Sequence, residues 1–335
     1  MKMKIKMKQT VAALGALAFL FVAVACSGNA GGGTAATPEG EAPAAGAASA
    51  ENEKIVIGIS QDSMNHPFRV AMVEQNVKYA QENYKDVEVI TTDAQNSSSK
   101  QVSDVEALLS RKIDVLVISP ITSDALTPIV KKAMDSGVPV VTLDRKVNTE
   151  VTLHIGGNNH SIGKTAGEYL TKALEGKGKV IEIQGTAGAS PTIERSNGFR
   201  ETLGEGIEIV AEQHADYLRE PALKFMEDML QRYGKGEIQA IYAHNDEMAL
   251  GAIQALKSAN RLDEVKVIGV DGQNSAIASI QEGELLATFT YPFCAPEGIQ
   301  YAYKIAKGEE VPKEIELESR TIDGSNAEEN IGTGF

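Results

Sequence analysis

The chain has no tryptophan, only two cysteines in 335 residues, five histidines, and fewer basic than acidic side chains. Each shortage removes a class of function. Cys26 and Cys294 are too few for a disulfide framework. The histidines lack metal-ligand spacing of the H-E-x-x-H kind; His154 and His160 straddle a strand end, where solvated or capping roles prevail. With 32 basic against 46 acidic residues the formal charge is −14, the reverse of the concentrated basic surface that a nucleic-acid binder needs. The same balance disfavours an acidic ligand. No G-x-S-x-G elbow presents a nucleophile. The longest apolar run, Val11 to Ala25, has about 15 residues, short of the roughly 20 that span a bilayer as a helix.

What is there begins with an export signal. Lys2, Lys4, Lys6 and Lys8 form a positive segment, the apolar run follows, and Ala23-Val24-Ala25-Cys26 looks like a lipobox, in which the Cys thiol is acylated and becomes the new N-terminus. Residues 1–25 are therefore expected to be a lipoprotein signal peptide and Cys26 the lipidation site, with simple secretion as the alternative. Ser27 to Ala50 is almost wholly Ala, Gly, Pro, Ser and Thr, too poor in apolar area to offset ordering entropy, so residues 26–52 are expected to be a disordered tether. A lipidated Cys26 leaves Cys294 without a partner, and Cys294 reads as a small apolar residue rather than a nucleophile.

From Lys54 onward, short β-branched runs alternate with amphipathic stretches. About eleven segments read as strands, among them Lys54–Ser60, Asp114–Ser119, Pro139–Asp144, Lys179–Gln184, Gln239–Ala243, Val265–Val270, Leu286–Tyr291 and Ile315–Ser319. The central ones are apolar nearly throughout, the mark of parallel strands covered on both faces. Between them lie helical patterns such as Pro67–Glu82, Ser98–Ser110, Ser161–Leu174 and Asp246–Ser258. Repeated βα alternation means α/β architecture, and so many strands divide best into two doubly wound lobes of five or six.

In open α/β sheets ligands sit beyond the carboxyl ends of the strands. The residues there are Asn65, His66, Phe68 and Arg69 after the first strand, Asp144 and Arg145 after the fourth, and Arg195 early in a helix. Farther along come Asn245 with Asp246, then Asp271, then Tyr291. Carboxylates that accept from paired hydroxyls, guanidinium and amide groups that donate back, and aromatic faces that cover C–H bonds together make a sugar site. Each residue also has a plainer reading. Asp144-Arg145 makes sense as a surface ion pair, Asn245-Asp246 as a helix cap and first-turn acid, Phe68 as core, and Tyr291 as packing. Gly157-Asn-Asn-His-Ser-Ile-Gly163-Lys164-Thr165 is similar to a phosphate-binding loop but has one residue too many between its glycines, so nucleotide hydrolysis is not expected. No catalytic constellation emerges, and neither a cofactor nor a metal is called for.

Taken jointly, Asp144-Arg145, Gln184-Gly-Thr-Ala-Gly-Ala-Ser190 with Glu194-Arg195-Ser-Asn-Gly-Phe199, Ala243-His-Asn-Asp-Glu-Met-Ala249 and Ile268-Gly-Val-Asp-Gly272 resemble the type I periplasmic sugar-binding proteins of the ribose and galactose class. Within that class the run Tyr242-Ala-His-Asn-Asp246 and the Gly334-Phe335 ending are most similar to galactofuranose-binding members that serve sugar ABC importers. The resemblance implies two doubly wound parallel-sheet lobes joined by three hinge crossings. It places 53–156 with 292–319 in the N-terminal lobe and 157–291 with 320–335 in the C-terminal lobe.

It also transfers a sugar-binding role to Phe68, Asp144, Arg145, Arg195, Asn245 and Asp271, and puts Tyr217 where ribose-class proteins carry a stacking Phe. Three departures point away from ribose: Arg69 replaces a second Phe, His66 an Asn, and Tyr291 a hinge-proximal Gln. The expectation is therefore a monomeric, extracytoplasmic, lipid-anchored binding protein, not an enzyme, that delivers a hexose of the galactofuranose, galactose or fructose class to an ABC permease. Its only membrane contact is the lipid. The rival reading is a sensor module that presents the same sugar to a chemotaxis or histidine-kinase receptor, since Thr288-Phe-Thr-Tyr-Pro292 is similar to the sugar-sensing domains of some hybrid histidine kinases. A sugar-responsive repressor would instead need a basic helix-turn-helix before Lys54.

Overall fold

A computed structural model describes residues 54–335. The signal, lipidation and tether expectations at residues 1–52 lie outside the described residues.

The apolar runs become two six-stranded sheets. The first holds β1 (Ile55–Gln61), β2 (Val87–Asp93), β3 (Val115–Ile118), β4 (Val140–Leu143), β5 (Leu153–Gly157) and β11 (Glu314–Leu317) in the order β11-β5-β4-β3-β1-β2. The second holds β6 (Lys177–Gln184), β7 (Gly206–His214), β8 (Ala240–Ala243), β9 (Lys266–Asp271), β10 (Ala287–Thr290) and β12 (Thr321–Asp323) in the order β12-β10-β9-β8-β6-β7. Central β3 and β4 are buried at every position, as expected of parallel strands with helices on both faces. The chain passes between the sheets after β5, after β10 and after β11.

Helices fill the connections, and their starts are chemically marked. Ser97 caps α2 (Ser98–Ser110) by accepting from the Lys100 N–H, and Asn158 caps α4 (Asn159–Ala173) by accepting from the Ser161 N–H. Pro67 opens α1 (Pro67–Asn83), where its missing N–H costs nothing. In the first lobe α3 (Ser123–Asp135) packs on α2, and α9 (Glu297–Ala306) returns across the hinge to pack on α1 and β3.

In the second lobe α4 lies against α5 (Ser190–Thr202), and α6 (Arg219–Arg232) against α7 (Asp246–Ser258), with α8 (Asn274–Gln281) beside β10 and β12. The α4–α5 contact is so close that a Cβ at Gly163 would sit 2.2 Å from the Arg195 carbonyl oxygen, and one at Gly198 2.1 Å from that of His160. Gly163 is thus a packing glycine inside a helix. Lys164 beside it pairs with Glu201 at 2.9 Å, so the phosphate-loop likeness dissolves into helix packing.

Two elements escaped the sequence reading. The strand β12 is three residues long, and α8 is a helix of eight residues without a side-chain cap. Neither carries the periodicity or the start signal that a longer element shows.

Candidate functional site

The carboxyl ends of both sheets converge on a small cavity lined by His66, Phe68, Arg69, Asp144, Pro191, Arg195, Tyr217, Asn245, Asp271 and Tyr291. The first-lobe lining comes from the end of the β1–α1 loop, the first turn of α1 and the β4–β5 connection, and the second-lobe lining mostly from residues that follow β6, β7 and β8 and from the last residue of β9. Tyr291 follows β10 at a crossing between the sheets.

On the first-lobe side charge is packed densely. Asp144 Oδ2 lies 2.6 Å from Arg69 Nη2, and Arg69 Nη1 donates to Ser119 Oγ at 2.9 Å. Burial raises the Asp144 pKa, but the guanidinium groups of Arg69, Arg145 and Arg195 outweigh it and hold the carboxyl below its ordinary value. Burial, with Arg69 and Arg145 adding to it, pushes His66 down to about 3, so its imidazole is neutral at pH 7. Its Nδ1 is buried without a protein partner. Phe68 lies edge-on to Tyr291, with centroids 5.7 Å apart, and edge-on to Phe335 at 5.8 Å.

On the second-lobe side positions are set by main chain and caps. Arg195 Nε donates to Asn159 Oδ1 at 2.8 Å, an Nη1 hydrogen goes to the His244 carbonyl, and the guanidinium lies over the Tyr291 ring at 4.8 Å. Asn245 Oδ1 accepts from the Met248 N–H at 3.0 Å and its amide donates to the Tyr217 carbonyl at 3.1 Å, so the residue caps α7 and lines the cavity at once. Tyr217 and Thr192 share a hydroxyl hydrogen bond of 2.8 Å, and the Tyr217 ring fills the place a Cβ at Gly185 would need, 2.0 Å from its Cζ. Desolvation drives the Asp271 carboxyl well above its ordinary value, with Arg195 pulling against it. Behind it Asp246, fully buried, accepts from Thr288 Oγ1 at 2.7 Å and is pushed by burial up to about 7.

Three lining residues adopt left-handed backbone without being glycine: Asp144 at φ +62°, Tyr217 at +62° and Asp271 at +128°. Such conformations persist where the surroundings over-determine them, typically at binding sites.

The expected residues thus gather in one place, with three exceptions. Asn65 is exposed and points its Oδ1 at Ser63 Oγ, 2.9 Å away, because the loop turns before Pro67 carries the chain into α1. Arg145 is buried one layer behind the lining, its Nη1 donating to the Ile121 carbonyl at 3.0 Å and its guanidinium 5.5 Å from the Tyr217 ring centroid. Asp246 likewise serves the β9–α8 loop rather than the cavity, accepting from the Gln273 N–H at 2.8 Å.

The sequence reading missed Pro191 in the lining and Asp62, Asn159, Phe293 and Phe335 around it. Asp62 directly follows β1, Asn159 lies just beyond β5, and Phe293, its ring 5.9 Å from that of Phe68, just beyond β10, so the strand-end rule reaches all three, whereas Phe335 is brought to Phe68 by tertiary contact alone. Tyr291 Oη accepts from the Gly157 N–H at 3.1 Å, which ties the crossing after β10 to the one after β5. Cys294 is a buried free thiol whose Sγ–H points to the Ile155 carbonyl at 3.4 Å, and burial pushes its pKa up, which suits packing and not nucleophilic attack.

Residues 57–310 match the family described as periplasmic binding protein domain. The ribose import binding protein of Bacillus subtilis (strain 168) is 40% identical over 237 residues, spanning 70% of this chain and 76% of that protein. The galactofuranose-binding protein of Escherichia coli (strain K12) is 29% identical over 279 residues, 80% of this chain and 87% of its own. Among solved structures, the fructose binding periplasmic domain of a hybrid two component system superposes with a TM-score of 0.78 at 34% identity, covering 82% of this chain and 92% of that one.

Proposed function

The chain belongs to the periplasmic binding protein domain family, whose members bind ligands and are not enzymes, and on that premise we propose that it captures a monosaccharide outside the cytoplasm for an ABC permease. The observation that carries this reading is the cavity between the two sheets. Charged, amide and aromatic side chains from both lobes line it, with Asp144 and Arg69 on one wall and Arg195, Asn245 and Asp271 on the other. A ring of hydroxyls that bridges these walls makes contacts available only when the lobes are closed, so the ligand stabilises the closed form by its differential affinity. A missing hydroxyl leaves a buried partner unpaired, which is the source of selectivity.

The cargo we propose is a hexose of the galactofuranose, galactose or fructose class. Arg69 supports this, because a donor fork in the cavity wall rewards an additional hydroxyl where an aromatic ring would reward a bare C–H face. The likeness to a fructose binding domain supports it too, while the ribose import relative makes ribose the first competitor to test. The anchor we propose is a lipid on Cys26, and the working unit a monomer. A second reading, presentation of the same sugar to a sensor kinase, rests on that fructose binding domain being part of a two component system.

The experiment is a thermal-shift screen of the chain against pentoses, hexoses, galactofuranose, cyclitols and sugar alcohols, since a ligand that binds only the native state raises its melting temperature. A large upward shift with one hexose, the sugar recovered unchanged, is the expected result. A larger shift with ribose overturns the hexose assignment, and no shift with any sugar overturns the monosaccharide reading.

A further inference from the structure

Asp62 does not line the cavity, yet it is 1% exposed and touches two guanidinium groups at the cleft edge. Its Oδ1 lies 3.2 Å from Arg69 Nε and its Oδ2 2.9 Å from Arg145 Nη1. On the other side Asp144 Oδ2 lies 2.6 Å from Arg69 Nη2 and 3.8 Å from Arg145 Nε. The four side chains therefore form a closed ring of alternating charge, neutral in sum, with no member more than 4% exposed. Desolvated guanidinium groups require such compensation, and removal of one carboxylate leaves a buried charge unpaired.

We propose that Asp62 is a positioning residue for sugar selection, acting through Arg69 and Asp144 and resting on the monosaccharide reading above. Nη1 donates to Ser119, Nη2 pairs with Asp144, and Nε faces Asp62 Oδ1 at 3.2 Å in an ionic contact without hydrogen-bond alignment, so each nitrogen of the Arg69 fork has a polar protein neighbour. The second hydrogens of the two terminal nitrogens remain for a ligand. A planar fork with one buried carboxylate against its Nε edge and another against Nη2 is confined between them, so it favours donation to a hydroxyl at one position over the neighbouring one. Without Asp62, Arg69 and Arg145 both turn to Asp144, which draws that carboxylate away from the cavity.

The test is Asp62→Asn, a change of charge at nearly constant shape, with ribose, fructose and galactose titrated calorimetrically against both proteins. The expected result is affinity for the preferred sugar weaker by about tenfold or more, with its advantage over the next sugar narrowed. An unchanged preference ratio overturns the proposal. A readout that needs no sugar is solvent exchange of the Arg69 Nε proton by NMR. Faster exchange in Asp62→Asn is expected, and an unchanged rate overturns the clamp.

Should the wild type bind none of the sugars, the monosaccharide reading falls, and the exchange rate alone decides whether Asp62 holds Arg69. Should Asp62→Asn fail to fold, the charge-balanced Asp62→Asn/Arg69→Gln pair is expected to recover the melting temperature without the preference. A double variant that keeps the preference overturns the proposal.

Discussion

The two lobes share one strand order yet build their halves of the cleft differently. Read from the far edge each sheet runs second, first, third, fourth, fifth, last, and the last strand is the difference: β11 joins parallel to β5, β12 antiparallel to β10. At the cleft the first lobe fixes its side chains with a ring of buried ion pairs around Asp144, the second with an N-cap at Asn245 and one side-chain amide and one main-chain acceptor for Arg195. The same topology thus delivers strand ends to the same place and leaves open how the polar groups there are compensated. Ion pairs in a dry site fail as a unit when one partner goes, whereas caps and carbonyl contacts fail one at a time.

The largest effect expected is that of Asp144→Ala. Sugar binding should fall by at least about 100-fold, and because Asp62 is then the one carboxylate against both Arg69 and Arg145, stability should drop by about 3 kcal/mol. Calorimetric titration and urea unfolding measure the two losses. Preserved stability would show that the ring is not an interdependent unit.

Next is Gly163→Ala in the second lobe, whose new Cβ would collide with the Arg195 carbonyl. Overpacking of this kind costs about 1–3 kcal/mol, and the sugar affinity should fall with it because Arg195 is displaced. Wild-type affinity in that variant would separate the helix contact from the site.

Asn245→Ala removes one cap and should cost about 1 kcal/mol, well short of the Asp144 variant. Equal losses from the two substitutions, measured by the same urea titration, would erase the contrast between the lobes.

The smallest effects are in pH dependence. Burial depresses His154 to about 4, so its stability contribution is complete above the unfolded value near 6.5 and is lost as pH falls toward 4. For Asp246 the sign reverses. Burial raises its folded value to about 7, so stability is lost as pH rises from about 4 to 7. His154→Gln should flatten the acid-side slope of stability against pH, and Asp246→Asn should steepen it. Parallel changes in both variants would refute the assigned directions.

Much of the fold was legible in the residues. Runs such as Val115-Leu-Val-Ile118 announce strands covered on both faces, and Asn245 announces a helix start, whereas the pattern read from Ser161 begins two residues earlier, behind the Asn158 cap. Most lining residues were legible too, because parallel α/β sheets place their loops at the carboxyl ends and Asp144, Arg195, Asn245 and Asp271 stand there. Asn65 shows the limit of that rule: a strand-end position says that a residue is near the cleft, not which way its side chain turns.

Residue order alone sets the alternation of strands and helices and the clustering of polar residues at strand ends, since both follow from local periodicity and chain direction. Packing in three dimensions is what joins Asp62 to Arg69 and Arg145, sets Asn159 against Arg195, and brings Phe335 to Phe68. Those partners are far apart along the chain or on different lobes. The first two meetings depend on how winding gathers separate loops at one end of a sheet, and the third on how the two sheets come together, and no local pattern records either.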